Sequence, residues 1–475
     1  LEDPVDNKIK LVSDDENRPE EGLIAALQEI SSIPEVELVV GMVDLHLKKR
    51  TENPSSIAVA TREKILPKLS SVAQNCGMCL LRTNLSQSMF TSEALDVLFS
   101  RWMTDDERLM RHPEITDEEM RHFLSLGAPY AVSRYELPES FIKGMEYSGV
   151  VGEKSLLEWK DIRKLVPLSS IRRGRHGFGV VPAGNHFLEI QYIEEIIDRV
   201  VCEQFKLAEK GITVMMHSDG GLASDDIGNL YGNRSTVGGH IKFLYNMRKM
   251  LFHLKDAKSY ENLRRKHKYY FGSEKFIAID PETYEGKRYL RAKDLSMNAG
   301  YAARIVTMSR FKDTVEDIFR EHEPEMDLLC DFSHNSINRE RIGDRDLWLH
   351  RHNACRVTEG QLVFLPGFSN TSSYICIGGP GASDYLNTMD HGAGETIKRF
   401  MSKGLSRQLE FSTRVYNNES KNAQIEPHYS DEGIDKVVEL LEREKIAMPV
   451  ARIRPIAGYR YRWKGRLARL KERMS

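Results

Sequence analysis

Long hydrophobic runs are missing from this chain of 475 residues. No stretch approaches the ~18 consecutive apolar residues of a membrane-spanning helix, which excludes that class. The opening LEDPVDNKIK is acidic and polar and has no apolar segment of the secretory kind, so a cytoplasmic protein with no membrane partner is expected. Cysteine is scarce: Cys76, Cys79, Cys202, Cys330, Cys355 and Cys376 are too few for a disulfide framework in a chain this long. C-G-M-C at 76–79 has no second pair, which excludes a zinc ribbon. Net charge is also nearly absent, 68 Lys+Arg against 70 Asp+Glu, so bulk electrostatics neither favours nor forbids nucleic acid. Internal repeats, low-complexity tracts and Pro/Ser-rich linkers are lacking too. A hydrophobic fraction of 40% is enough for a large core. One continuous domain over 1–475 is expected, with an acidic segment at 1–25 and a basic tail at 461–475.

Two interior stretches share the basic character of the tail: KDIRKLVPLSSIRRGRHG around residue 170 and MRKMLFHLKDAKSYENLRRKHKYY from Met247. Such runs are usually solvated helix faces; the competing reading is a phosphate-tracking surface with aromatics for base stacking. Residues 92–147 read as helical, with Thr116 and Glu119 forming a capping pair. Residues 189–210 read as a helix, or as a strand followed by one. Elsewhere short apolar runs end in Gly, Asn and His: VELVVGMVDLHL, ITVMMHSDGG and QLVFLPGFSNTSSYICIGG. These are strands running into loops. The expected class is α+β, with mixed and antiparallel sheets surrounded by helices and a central cleft built from loops at strand ends.

Those loops carry Asp44 and His46, Cys76, Asn185 with His186 and Glu189, His217, His334 with Asn335, His350 and His352, and His391. A single histidine after a strand is usually structural. Four histidines and a cysteine, each beside Gly, Asn or Ser, instead suit a divalent transition metal through imidazole and thiolate. His391 sits in a different setting, Gly392-Ala393-Gly394, where backbone N–H groups can approach phosphate oxygens. A neutral imidazole there can attack phosphorus.

The ordered set DLHL, CGMCLLRTNL, GNHFLEI, SMNAGYAARIV, SHN, HRHNACR, LPGFSNTSSYI, DHGAGE and HYSDEGIDKVV resembles the motifs of one family, the RtcB RNA ligases, from about Gly41 to Arg460. That resemblance implies an enzyme of tRNA splicing or RNA repair. Using GTP and manganese, it would join an RNA 3′-phosphate (or 2′,3′-cyclic phosphate) to a 5′-hydroxyl through a covalent histidine–GMP. His391 matches the nucleophile. Cys76, His186, His217 and His334 match the ligands of one or two Mn²⁺ ions. Asn185, Phe187, Glu189, His334, Asn335, Pro366, Gly367, Phe368, Ser369, Ser373, Tyr429 and Arg460 match the guanylate pocket, together with His391, Gly392, Ala393 and Gly394. The implied partners are GTP, broken RNA and an activating helper protein, and the implied state is a monomer.

The sequence also departs from the family pattern. The second-metal Asp is Ala73, which leaves that position weak or filled by Asn75, Gln74 or water. Asn75 replaces a glycine, as the residue best able to tolerate positive φ. H-S-G-S-R-G becomes His217-Ser218-Asp219-Gly220-Gly221, removing an arginine expected on RNA phosphate. A phosphate-contacting lysine becomes His352, the arginine after the HGAG turn becomes Glu395, and a terminal lysine becomes Arg460; Arg399 is kept. A ligase with another RNA substrate follows, its lost cations compensated by Arg462, Lys464, Arg466 and Arg469. The alternatives are an enzyme that guanylylates an RNA 3′-phosphate without joining ends, or a non-catalytic RNA-binding descendant.

Overall fold

The computed structural model describes residues 7–47, 53–231, 239–255, 259–272 and 274–462. The expected mixture of sheets and flanking helices is present. A five-stranded sheet runs in the order Ile9–Leu11, Val36–His46, Ser55–Thr61, Arg345–His352, Asn335–Ile342. A larger sheet runs Leu362–Leu365, Ser373–Gly378, Ala447–Arg460, Phe187–Ile196, Gly211–Ser218, Gly77–Ser86, Met326–Ser333; the hairpin Gln408–Asn417 with Ser420–Tyr429 attaches to Ala447–Arg460 and makes nine strands.

Alternation along the strands fixes the layering, because successive side chains leave a strand on opposite faces. Met78 and Leu80 pack with Met215, Phe332, Val40, Ala58 and Leu349, so the two sheets meet face to face. Cys79 and Leu81 point the other way, into a helical layer containing Phe99, Trp102, Phe123 and Tyr301. On the outer face of the small sheet, Val39, Ile57 and Val59 receive Leu23, Leu27 and Ile30 of the helix Glu21–Ser31. The order is helices, large sheet, small sheet, helix. No helix among the described residues is long and apolar enough to cross a membrane.

Within 92–147 the helices are Ser92–Arg111, Asp117–Arg134 and Ser140–Lys143, and Thr116 and Glu119 make the reciprocal cap expected of them. Residues 189–210 resolve as a strand, Phe187–Ile196, and then a short helix, Arg199–Gln204. From residue 7 on, the acidic N-terminal segment is built into the fold: Ile9–Leu11 is an edge strand, and Asp14 and Glu16 pair with Lys436. The interior basic runs are not simply solvated. Arg173 and Arg248 share Asp226, and Lys266 is fully buried against Glu285. Of the basic tail, Arg462 lies on the hairpin, near Glu419 and Asn418; Lys464, Arg466 and Arg469 lie outside the described residues.

Candidate functional site

Strand register collects the predicted metal donors. Gly77 pairs with both Ser218 and Ser333, and Phe187 pairs with His217. Antiparallel pairing therefore aligns the starts of two strands with the ends of two others. Cys76 and His186 immediately precede their strands, His217 is near the end of Gly211–Ser218, and His334 follows Met326–Ser333. All four side chains meet at one edge of the large sheet and are buried. Cys76 Sγ lies 3.2 Å from His217 Nε2 and 3.5 Å from His186 Nε2, and the Nε2 atoms of His217 and His334 are 3.0 Å apart.

Protonation suits this convergence. His217 is held well below the usual histidine range by burial, helped by the neighbouring His186 and His391, so its ring is neutral. Its Nδ1 donates to the Asn185 carbonyl at 3.1 Å, which leaves the Nε2 lone pair facing the cluster. The ligand atoms of Cys76, His186 and His217 all lie within 4.8 Å of one another. One sulfur and two imidazoles at that spacing fit a divalent transition ion.

A buried arginine holds the donor loops. Arg304, on the long helix Tyr284–Ile318, is fully buried and pairs with Asp331 through Nε at 2.7 Å and Nη2 at 2.6 Å. Its Nη1 donates to the carbonyls of both Asn75, at 3.1 Å, and Ser218, at 3.3 Å. Asn75 has φ 56°, the left-handed conformation expected of it. Its amide is committed elsewhere, donating to Met297 O and accepting from Arg304 Nη2. The Gln74 amide donates to Ser70 and Ser71. The expectation that Asn75 fills the second metal position is thereby corrected, since its amide shapes the loop; Gln74 Oε1 is buried with no hydrogen-bond donor among the described residues.

Beside the cluster lies a cleft of about 360 Å³, a volume typical of small-molecule sites. Among the predicted residues, Asn185, Phe187, Glu189 and Arg460 line one wall, and Pro366, Gly367, Phe368 and Ser369 another; His391, Gly392 and Gly394 complete it. The His391 and His334 ring centroids are 4.7 Å apart, which joins the cleft to the metal donors. The glycines of the turn sit in tight places: a Cβ on Gly392 would meet Pro366 O at 3.3 Å, and one on Gly394 would meet the Phe368 ring at 3.3 Å. Ala393 is buried and its N–H donates to Pro366 O.

Of the predicted pocket residues, His334, Asn335, Ser373, Ala393 and Tyr429 do not line this cleft. Asn335 Oδ1 accepts from Asn353 N, Ser373 Oγ accepts from Gly367 N, and Tyr429 N donates to Asn370 O. His352, at the position of the expected phosphate contact, is buried with Nδ1 2.9 Å from Pro54 O.

Asp44 also lines the cleft and had no role assigned from sequence. Asp44 accepts from Thr396 N, Thr396 Oγ1 and Glu395 N, capping the helix Gly394–Ser402 that follows the His391 turn. Burial raises the Asp44 carboxyl above its ordinary value. Burial also pushes Glu189 up to about 7, against the pull of Arg460 and Gln191. A second cavity of about 440 Å³ adjoins the cleft and shares His46, Glu395 and Lys398 with it. Arg399 is in its wall, and the Nε and Nη2 atoms of Arg399 are buried with no hydrogen-bond acceptor among the described residues.

Comparison with known proteins adds a family match. A sequence model described as tRNA-splicing ligase RtcB matches residues 26–460. A protein of that name from Methanopyrus kandleri is 25% identical over 428 residues, covering 81% of this chain and 41% of its own length. One from Methanococcus maripaludis is 24% identical over 413 residues, covering 80% and 79%; one from Pyrococcus horikoshii is 25% identical over 430 residues, covering 81% and 44%. The chain thus spans about two fifths of the first and third and about four fifths of the second.

Proposed function

This chain belongs to the RtcB family, and on that footing we propose that its 475 residues act as one catalytic domain, a GTP- and manganese-dependent RNA ligase. The observation that carries the reading is His391 itself: an imidazole in a glycine turn, opening into a nucleotide-sized cleft and 4.7 Å from the ring of His334.

The chain's residues divide the chemistry between them. A nitrogen of His391 attacks the α-phosphorus of GTP; a P–N bond forms, the bridging P–O bond breaks, and pyrophosphate leaves. Gly392 and Gly394, which line the cleft without side chains, leave room for the phosphate beside His391. Glu189, ionised, is the acceptor that fits the N–H edge of guanine, and Phe187 and Phe368 supply apolar walls. The guanylate then passes to an RNA 3′-phosphate, and a 5′-hydroxyl displaces GMP to leave the joined strand. Manganese held by Cys76, His186, His217 and His334 would, when bound, screen the phosphate charges. Arg399, in the wall of the adjoining cavity and with two donor nitrogens that have no acceptor among the described residues, fits a phosphate of the RNA end.

Incubation with α-labelled GTP and Mn²⁺, followed by a denaturing gel, is the test. The chain should carry an acid-labile label, and His391→Ala should carry none; label retained in that variant removes the assignment. Guanylylation of an RNA 3′-phosphate without joining is the second reading. It is favoured by the buried His352 and by Glu395, where the family pattern has cations. Capped RNA accumulating in the presence of 5′-hydroxyl ends distinguishes it from ligation.

A further inference from the structure

The large sheet places an acid beside the donor cluster that the family pattern does not contain. Asp219 follows the strand Gly211–Ser218, two residues after His217. It is buried, and its Oδ2 lies 3.7 Å from His186 Nε2, which is in turn 3.5 Å from Cys76 Sγ. A separation of 3.7 Å is too long for a hydrogen bond. It approaches the ~3–3.5 Å between two donor atoms that share one ion at metal–ligand distances near ~2.1 Å.

Two departures from the family pattern therefore answer one another. The carboxylate expected at position 73 is the methyl of Ala73, while the glycine expected at 219 is an aspartate. Both changes sit on loops gripped by one guanidinium, since Arg304 Nη1 binds Asn75 O and Ser218 O together. We propose that Asp219 replaces the missing acid and, with Cys76 and His186, forms a second divalent-metal position beside the one made by Cys76, His217 and His334. Cys76 Sγ, between the two histidine groups, is the shared ligand. A carboxylate oxygen also makes this position harder than one of sulfur and imidazole alone, which suits Mn²⁺.

The inference rests on the metal reading of the cluster, and counting ions separates the two. Metal-free full-length chain is titrated with Mn²⁺ alone, free Mn²⁺ being followed by its electron paramagnetic resonance signal. Wild type should take up two ions, Asp219→Asn one, and Cys76→Ala neither. His186→Ala should match Asp219→Asn, and Asp219→Glu should keep two. Thermal unfolding of the metal-free variants checks that the near-isosteric Asn leaves the fold intact. An Asp219→Asn chain that binds as many ions as wild type, or a wild type that binds only one, overturns the assignment of Asp219. A wild type that binds none removes the metal reading as well.

Discussion

The two sheets end in the same kinds of residue and use them differently. In the large sheet, His186, His217 and His334 turn their Nε2 atoms toward Cys76 or toward one another at a shared strand edge. In the small sheet, His350 spends both nitrogens on backbone, with Nε2 accepting from Leu66 N and Nδ1 facing Val59 O, and His352 faces Pro54 O. Polarity at a strand end is therefore not itself a site. The difference lies in register: the first set is brought to one edge by four adjacent antiparallel strands, while the second alternates along a single strand packed between neighbours.

Each sheet is also braced by a fully buried arginine, Arg304 from the helix packed on the large sheet and Arg351 from within the small one, and substituting them gives the largest expected effect. Arg304 pairs with Asp331 and grips the donor loops; Arg351 pairs with Glu340 and holds Thr388 Oγ1 and the carbonyls of Leu386 and Asn387. Removing one partner of a buried pair typically costs ~3–5 kcal/mol. Arg304→Met and Arg351→Met should both lower urea-unfolding stability on that scale. Only Arg304→Met should also weaken Mn²⁺ binding by the folded protein. Equal loss of metal in both variants would break the contrast between the sheets.

The next test compares two lost cations. Glu395 lines the cleft, half exposed and 3.5 Å from Lys398, whereas His352 is buried in the small sheet. A charge-assisted phosphate contact is worth ~1.5–3 kcal/mol. Glu395→Arg should therefore tighten binding of an RNA 3′-phosphate end by roughly ten- to a hundredfold. His352→Lys should give no gain and should destabilise the fold, because a buried ammonium is left facing a carbonyl. Fluorescence anisotropy with a labelled oligonucleotide measures both; tighter binding by His352→Lys would show that this strand reaches the RNA.

Sequence legibility followed the same division. Cys76, His186, His217 and His334 were readable because each interrupts an apolar strand pattern with a ligand at its end, and the GAG turn singled out His391. The layering was less legible: nothing local tells whether Met78 or Cys79 faces the other sheet until pairing is known. Asn335 and Ser373 match pocket motifs, yet Asn335 Oδ1 and Ser373 Oγ accept from the backbone of Asn353 and Gly367. Hydrogen-bond competition of that kind is a property of the packed state. Asp219 is the converse. It looked like a change in a loop, and acquires meaning only through its distance to His186.

The smallest expected effect concerns Glu189, on the cleft side of the large sheet. Its carboxyl is pushed up to about 7 by burial, with Arg460 and Gln191 opposing that rise. In the free protein it is therefore mostly protonated at pH 6 and mostly ionised at pH 8. Only the ionised form can accept from both N–H groups of guanine without presenting a proton of its own. Guanine binding should favour that form, so affinity for GTP should fall as pH drops through about 7. If binding is confined to the ionised form, the loss between pH 8 and pH 6 is about tenfold, ~1.4 kcal/mol by the linkage of one titrating group. Glu189→Gln replaces the titrating carboxyl with an amide, which should give weaker binding that no longer varies with pH in this interval. Calorimetric titrations of metal-free protein with GTP across pH 6–8 compare the two. Parallel pH dependences would assign the titration to another group, such as Asp390, also raised to about 7, and would remove Glu189 from guanine recognition.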